Sequence, residues 1–224
     1  MGVSLSEKGL VAAKQRGARA RTRKLMLETA TALMQKGITP SVSDVAEAAE
    51  VSRATAYRYF PSQAALVTAV VDEGLGPILT WHSEAQDAEE RVADLLSTSM
   101  PRIVEFESTF KAALKLSLEQ WARRQAGTLG EEPAFKRGHR IELLQLAIAP
   151  LRKTMPKKQF ERLAQALSLV YGLEVLIVLK DLWGLEFEQT RSVALWTAHA
   201  LVRTAVAEAA QPKPARRAKG GKSG

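Results

Sequence analysis

The stretch SVSDVAEAAEVSRATAYRYFPS, residues 41–62, decides the fold of this chain. Ser41, followed by Asp44 three residues later, is typical of a capped helix start. The apolar residues that follow recur at the spacing of one helical face, namely Val42, Val45, Ala46 and Ala49. The pattern predicts a short amphipathic helix that buries one face.

A second short helix is predicted directly after the first. Ser52 can cap its start, Pro61 ends it, and Ala56 and Phe60 fall on its inward face together with Val51. Two short helices joined by a tight turn, with alanines where they approach, match the helix-turn-helix unit. The side chains left largely outward on the second helix are those of Arg53, Ala54, Thr55, Tyr57, Arg58 and Tyr59.

These outward side chains suit DNA. Arginine can donate a bidentate pair to guanine, Thr and Ala methyl groups can meet a thymine methyl, and hydroxyl groups suit phosphate. The alternative is that the tyrosines and Phe60 only pack on the next helix, but the preceding residues 41–50 favour DNA reading. The expected base readers are Arg53, Thr55 and Tyr57, the expected phosphate contacts are Ser41, Ser52, Tyr59 and Gln63, and Ala54 and Arg58 complete the predicted DNA-binding set.

At these residues the chain resembles the TetR family of bacterial transcriptional regulators. The family reads roughly T-V-x-D-I-A-x-x-A-G-V-S-x-x-T-x-Y-x-H-F-x-S-K-E-x-L, and residues 41–66 here read SVSDVAEAAEVSRATAYRYFPSQAAL. The resemblance implies an all-α protein: a three-helix helix-turn-helix domain followed by a helical ligand-binding and dimerisation domain. It further implies a homodimeric repressor that binds a pseudo-palindromic operator and is released by an apolar or amphipathic small molecule. The effector-binding residues stay open.

Three residues depart from the family pattern. Glu50 stands where the family usually has Gly, Gln63 where many members have a phosphate-binding Lys, and Tyr59 where His is commoner. Glu50 forfeits the easy left-handed geometry of glycine and places a negative charge near the DNA face. Residues 41–63 carry two arginines against three acids, so attraction to phosphate must come from elsewhere.

The net charge of +8 is concentrated at the two ends. Residues 1–25 carry seven Lys or Arg against Glu7, and residues 211–224 carry five without an acid, which leaves a net −3 for residues 26–210. Basic ends on a slightly acidic body suggest a polyanion partner, with solvated ends as the alternative. The first end is expected to contact DNA phosphates along the backbone or in a minor groove.

Helical periodicity continues along most of the chain. The further predicted helices are 19–36, closed by Gly37, then 64–73, 87–106 with a kink at Pro101, 108–126, 136–149, 157–182 and 187–210. Gly74, Gly76 and Pro77 suggest a joint. The predicted domains are a flexible basic arm at 1–18, the DNA-binding domain at 19–76, the effector and dimerisation domain at 77–210, and a disordered basic tail at 211–224.

The segments 157–182 and 187–210 are the most apolar of these helices. Apolar residues from Leu163 to Leu179 fall on more than one face, which indicates burial on two sides. The resemblance assigns those sides to the core and to a second subunit. A wholly internal helix in a monomer is the alternative. Glu174 in this run lines a cavity, bonds across the dimer, or is solvated.

Catalytic and metal sites are not predicted. The chain has no cysteine, its three histidines are far apart, and neither a nucleophile elbow nor a phosphate-binding glycine loop is present. No cofactor is therefore expected. The chain lacks a signal-peptide pattern and a long apolar span, which favours a cytoplasmic protein. A helical nucleoid-type or adaptor protein that binds DNA non-specifically through basic ends is the alternative function.

Overall fold

The structure is a computed structural model that describes residues 7–135 and 138–211, with side chains from residue 17 onward. Its α-helices are α1 (Glu7–Gln35), α2 (Val42–Ala48), α3 (Arg53–Tyr59), α4 (Gln63–Leu75), α5 (Ala88–Glu105), α6 (Glu107–Gln125), α7 (Arg140–Ala147), α8 (Lys157–Leu167), α9 (Leu173–Leu176) and α10 (Phe187–Ala210). Two 3-10 helices, Gly76–Thr80 and Ala149–Lys153, and a π-helix, Ile177–Leu182, join them. The described residues contain no strand, so the predicted all-α class is confirmed.

The described residues form two compact units. The first lies within Met1–Trp81 and Ser97–Arg140, and the second within His82–Leu96 and Ile141–Gly224. Helix α5 contributes its first half to the second unit and its second half to the first.

One hydrophobic core holds the first unit together. Met26, Ala30 and Met34 of α1 are completely buried there, at the spacing of one helical face. Helix α6 adds Leu116 and its neighbouring alanines, and Phe135 from the loop after α6 joins the same core. Helix α6 thus shares the core of the helix-turn-helix, although the sequence-based division at residue 76 assigns these residues to the other domain.

The end of α4 is fixed by contacts with the α5–α6 region. The Arg102 guanidinium donates from Nε to the Gly74 carbonyl at 2.8 Å and lies 4.1 Å from the centre of the Phe106 ring. A Cβ atom on Gly74 would come within 3.3 Å of Phe106. Gly74 is therefore a position of close packing inside α4, and the helix ends at Leu75 with Gly76 as its C-cap, where φ is +47°.

Helix α1 differs from its predicted bounds at the N-terminal end. It begins at Glu7 rather than near residue 19. It ends at Gln35, one residue before the predicted end, with Gly37 in a left-handed conformation at φ +77°. Residues 7–18, predicted as a flexible arm, are therefore part of α1. Alanine-rich and arginine-rich sequence has high helix propensity, which explains the extension. Residues 1–6 and the basic tail from 212 lie outside the described residues.

The long helix predicted at 157–182 is interrupted in the structure. Helix α8 ends at Leu167, and α9 does not begin until Leu173. Gly172 adopts φ +103° and ψ −162°, a region essentially restricted to glycine. The chain then continues through the π-helix. Helix α10 has the predicted bounds, and a capping box between Glu186 and Gln189 starts it.

An ion cluster joins α5 to α10 within the second unit. The Arg203 guanidinium donates from Nε to both Glu89 carboxylate oxygens at 2.9 Å, and His199 Nδ1 lies 2.7 Å from Oε1. The hydrogen bond from Arg203 lowers the pKa of Glu89 below its usual value and raises that of Arg203. Glu174 is half-buried in the first turn of α9, where a carboxylate suits the helix dipole.

Two kinds of site are absent from the part of the chain that the structure describes. No group of three or more His, Cys, Asp or Glu side chains is placed to hold a metal ion. In the same residues, no helix combines the length and the apolar character that crossing a membrane requires.

Candidate nucleic-acid interface

Helix α2 starts with the predicted capping box. The backbone N–H of Asp44 donates to Ser41 Oγ at 3.1 Å, and the backbone N–H of Ser41 donates to Asp44 Oδ2 at 2.8 Å. These two bonds satisfy N–H groups that a helix start leaves without partners. The predicted apolar face is buried, comprising Val42, Val45, Ala46 and Ala49. A local sequence signal therefore fixes both the start and the orientation of α2.

The turn between α2 and α3 has the geometry of a Schellman motif. The Val51 N–H donates to the Ala46 carbonyl at 2.8 Å, and the Glu50 N–H donates to the Glu47 carbonyl at 3.1 Å. The motif needs a left-handed residue, and Glu50 supplies it at φ +54°. It is the one non-glycine residue with positive φ among the described residues. Having Glu instead of Gly at position 50 therefore costs free energy, because the backbone there is left-handed.

Helix α3 is capped at its start and anchored at its end. Ser52 Oγ accepts from the Thr55 N–H at 3.2 Å and donates to Thr55 Oγ1 at 2.9 Å. Ala56 and Phe60 are buried in the core, as predicted. The opposite face is presented to solvent by Arg53, Ala54, Tyr57 and Arg58, with Thr55 half-buried beside them. The structure therefore brings together most of the predicted base-reading surface on one helix face.

The two tyrosines of α3 have different surroundings. Tyr57 is 46% exposed, and its hydroxyl lies 3.4 Å from Ser43 Oγ of α2. The sequence predicts an outward Tyr59, but Tyr59 is half-buried and packs on the core, with the Arg58 guanidinium 5.8 Å from its ring centre. Residue 59 follows the buried Ala56 by three positions, so it lies on the flank of the inward face.

Gln63, at the start of α4, makes contacts that sequence reasoning missed. Its Nε2 donates to the carbonyls of Thr39 and Pro40, both at 3.2 Å. These residues come just before the Ser41 cap, so Gln63 holds the entry to α2. Both amide donors of Gln63 have protein acceptors here, and a phosphate would have to compete with them.

Two further residues adjoin the predicted surface. Ser43 of α2 is half-buried at the Tyr57 hydroxyl, and the Arg23 guanidinium of α1 lies 5.6 Å from the centre of the Phe60 ring. Ser43 lies next to the capping pattern without being part of it, so no local sequence signal marks it. Arg23 belongs to the basic run, but its neighbour Phe60 is distant in sequence.

Comparisons with known proteins agree with this geometry. Residues 26–70 match the family model for bacterial regulatory proteins of the tetR family. The crystal structure of a TetR transcriptional regulator from Rhodococcus sp. RHA1 superimposes with a TM-score of 0.55 at 20% sequence identity. That match covers 82% of this chain and 97% of the other chain, and at this identity it shows a shared fold. Comparison with curated protein sequences yields no match.

The helix-turn-helix and its match define a DNA-binding transcriptional regulator with an all-α fold. Its residues 26–70 are similar to the N-terminal domain of the tetR family of bacterial regulatory proteins.

Glu50→Gly is expected to stabilise the protein. Left-handed backbone costs a non-glycine residue about 1–2 kcal/mol, and the extra freedom of glycine in the unfolded chain offsets part of this gain. We expect a net gain of about 0.5–1 kcal/mol in the free energy of unfolding, measured by urea denaturation. DNA binding should also strengthen, because a negative charge leaves the helix-turn-helix. Glu50→Gln is the matched control, since it removes the charge and keeps the strain. Equal stability of Glu50→Gly and Glu50→Gln would contradict the strain at Glu50.

Proposed function

We propose that this regulator is a repressor that binds a pseudo-palindromic operator as a homodimer and is released by an apolar or amphipathic small molecule. It acts in the bacterial cytoplasm, at the nucleoid. The observation that carries the proposal is the exposed face of α3, whose polar side chains project from a helix anchored by Ala56 and Phe60. A helix presented in this way fits the major groove.

Within this face we assign base reading to Arg53, Thr55 and Tyr57. Arg53 is exposed at the first turn of α3, the part of a recognition helix that reaches base edges. Ala54 offers a methyl group to thymine, and Arg58 can reach the backbone of the duplex.

The side chains proposed to contact phosphate differ in how free they are to bind it. Ser41 and Ser52 lie at the N-terminal ends of α2 and α3, where the helix dipole favours an anion. Each hydroxyl already takes part in capping, so phosphate binding adds to that bond. Tyr59 and Gln63 are the weaker members of the set, because one packs on the core and the other bonds to carbonyls.

A second copy of the chain is the proposed partner of the second unit. Helix α10 contacts both α9 and the π-helix. These elements, the turn before α9 and the turn after the π-helix carry large apolar side chains exposed to solvent, which would be covered in a dimer. These residues are Leu169, Val178, Leu182, Trp183, Val193 and Trp196.

Small-molecule release would act by a population shift. A ligand that prefers one arrangement of the dimer would favour a spacing of the two DNA-binding domains that no longer matches successive major grooves. Selecting bound sequences from a random DNA pool, with and without candidate effectors, tests operator and release together. A selected pseudo-palindrome that an effector frees from the protein is the expected result.

Arg53→Ala and Thr55→Ala are expected to weaken operator binding by about 1–3 kcal/mol for each base interaction removed and to relax preference at one operator position. Affinities for operator variants would be measured by fluorescence anisotropy. Arg124→Ala, an exposed arginine on α6, is the matched control and should leave preference intact. Unchanged preference in both α3 variants would show that this helix does not read the bases.

Non-specific binding through basic ends is the second candidate function. The negative balance of residues 41–63 and the positive chain ends favour it. Footprinting separates the two functions, because a regulator protects a discrete pseudo-palindrome, whereas a tail-driven binder protects no defined site.

A further inference from the structure

Helix α1 extends well beyond the core that it helps to build. It starts at Glu7, whereas the first buried residue among its described side chains, which begin at residue 17, is Met26. At 1.5 Å per residue, the part that precedes the core rises about 28 Å along the helix axis. This part of α1, residues 7–25, is called the α1 extension below.

The α1 extension is strongly basic. Among its described side chains, Arg19, Arg21, Arg23 and Lys24 are all exposed. The sequence adds Lys8, Lys14 and Arg16, and Glu7 is the one acid of this segment. Arg19 and Arg23 are four residues apart, so they share one helix face and repel each other. This repulsion is unfavourable for the helix by itself, and a polyanion along the helix would reduce it.

The C-terminal end of the extension lies beside the end of α3, the proposed recognition helix. The Arg23 guanidinium lies over the ring of Phe60, the residue that ends α3. The core-proximal end of the basic segment therefore lies next to the C-terminal end of α3. Residues 41–63 have a net charge of −1, so the extension supplies cations that the helix-turn-helix itself lacks.

We infer that the α1 extension is a second DNA-binding element, a rigid basic helix that lies along the phosphates flanking the half-site and uses Arg19 and Arg23 as contacts. This inference rests on the proposed function, because it takes DNA as the partner. It differs from a flexible arm in one respect: the phosphate contacts depend on the helix being continuous with the core. The helix carries its cations at fixed spacing, with little ordering left to occur on binding.

Two variants separate the charge of the extension from its helical structure. Arg19→Ala/Arg23→Ala removes two cations and keeps the helix. Ala20→Pro keeps every charge and breaks the helix before the core begins, because proline removes a backbone bond and clashes with the preceding turn. Ala20→Gln is the matched control, since Ala20 is exposed and glutamine is a good helix former.

Affinity for a duplex containing the selected operator would be measured at four salt concentrations. For each phosphate that the protein no longer neutralises, the slope of log affinity against log salt should become shallower by about 0.9. At about 0.1 M salt, this corresponds to a roughly eightfold loss of affinity. By the same rule, we expect the double variant to make the slope shallower by about 1.8 for each DNA-binding domain. Ala20→Pro should make it shallower by a comparable amount. Ala20→Gln should have the slope of the parent protein. Preference among major-groove positions should stay unchanged in all of them.

Two outcomes would overturn the inference. If the double variant has a shallower slope and Ala20→Pro does not, the segment binds as a flexible arm. If neither variant changes the slope, the extension is a solvated end without a role in binding. Failure of the proposed function looks different: the parent protein then protects no discrete operator, and the same variants can still be compared on unrelated duplex DNA.

Discussion

Trp196→Glu is expected to convert the protein from a dimer into a folded monomer. Trp196 is 73% exposed on α10, so a glutamate there is solvated in a single chain and tolerated. In the proposed dimer the same charge would be buried without a partner, which is strongly destabilising. Sedimentation velocity at micromolar concentration measures the change. Operator affinity should fall by a factor on the order of 10²–10⁴, because the two DNA-binding domains no longer bind as one linked unit.

Controls distinguish loss of assembly from loss of folding. Leu169→Glu, at a residue 77% exposed, should act in the same direction as Trp196→Glu. Lys153→Glu changes charge at an exposed position of the 3-10 helix after α7 and should leave the dimer intact. Circular dichroism should show unchanged helix content in all three. A parent protein that sediments as a monomer, or a Trp196→Glu variant that remains a dimer, would contradict this interface.

The part of the fold that local signals determine was predictable from sequence. Ser41 with Asp44, and Gly37 after α1, are caps whose partners lie within a few residues, and the structure shows both. The burial of Val45, Ala56 and Phe60 follows from helical spacing alone, since the inward face of a short helix is fixed by its period. The exposed face of α3, which we propose reads DNA, is the complement of these buried positions.

The parts that depend on distant residues were not predictable. Gln63 bonds to the carbonyls of Thr39 and Pro40, and no spacing rule connects a helix start to a turn more than twenty residues earlier. The break before α9 depends on the backbone of Gly172, which a run of apolar neighbours conceals. The reach of α1 to Glu7 was missed because the sequence shows no apolar face there, and periodicity is the signal that marks helices.

The core that supports α3 sets a limit on how the proposed DNA-reading surface can change. Phe60 is buried at the point where α3 ends, and its ring packs in the same core as α1, α2 and α4. At that end of the helix Tyr59 also packs against this core, but it is half-buried, whereas Phe60 is only 3% exposed. Loss of the ring should therefore affect both stability and DNA binding.

Phe60→Ala is expected to lower the free energy of unfolding by about 3–5 kcal/mol, because a large buried ring is removed and a cavity remains. Urea denaturation followed by circular dichroism measures the loss. Operator affinity should fall with it, since α3 loses the anchor that holds its reading face outward. Tyr57→Ala, at a residue of the same helix that is 46% exposed, is the control. It should lower the free energy of unfolding by less than about 1 kcal/mol. It should nevertheless weaken operator binding. If Phe60→Ala unfolded at the urea concentration of the parent protein and kept its operator affinity, Phe60 would not be the anchor of the recognition helix.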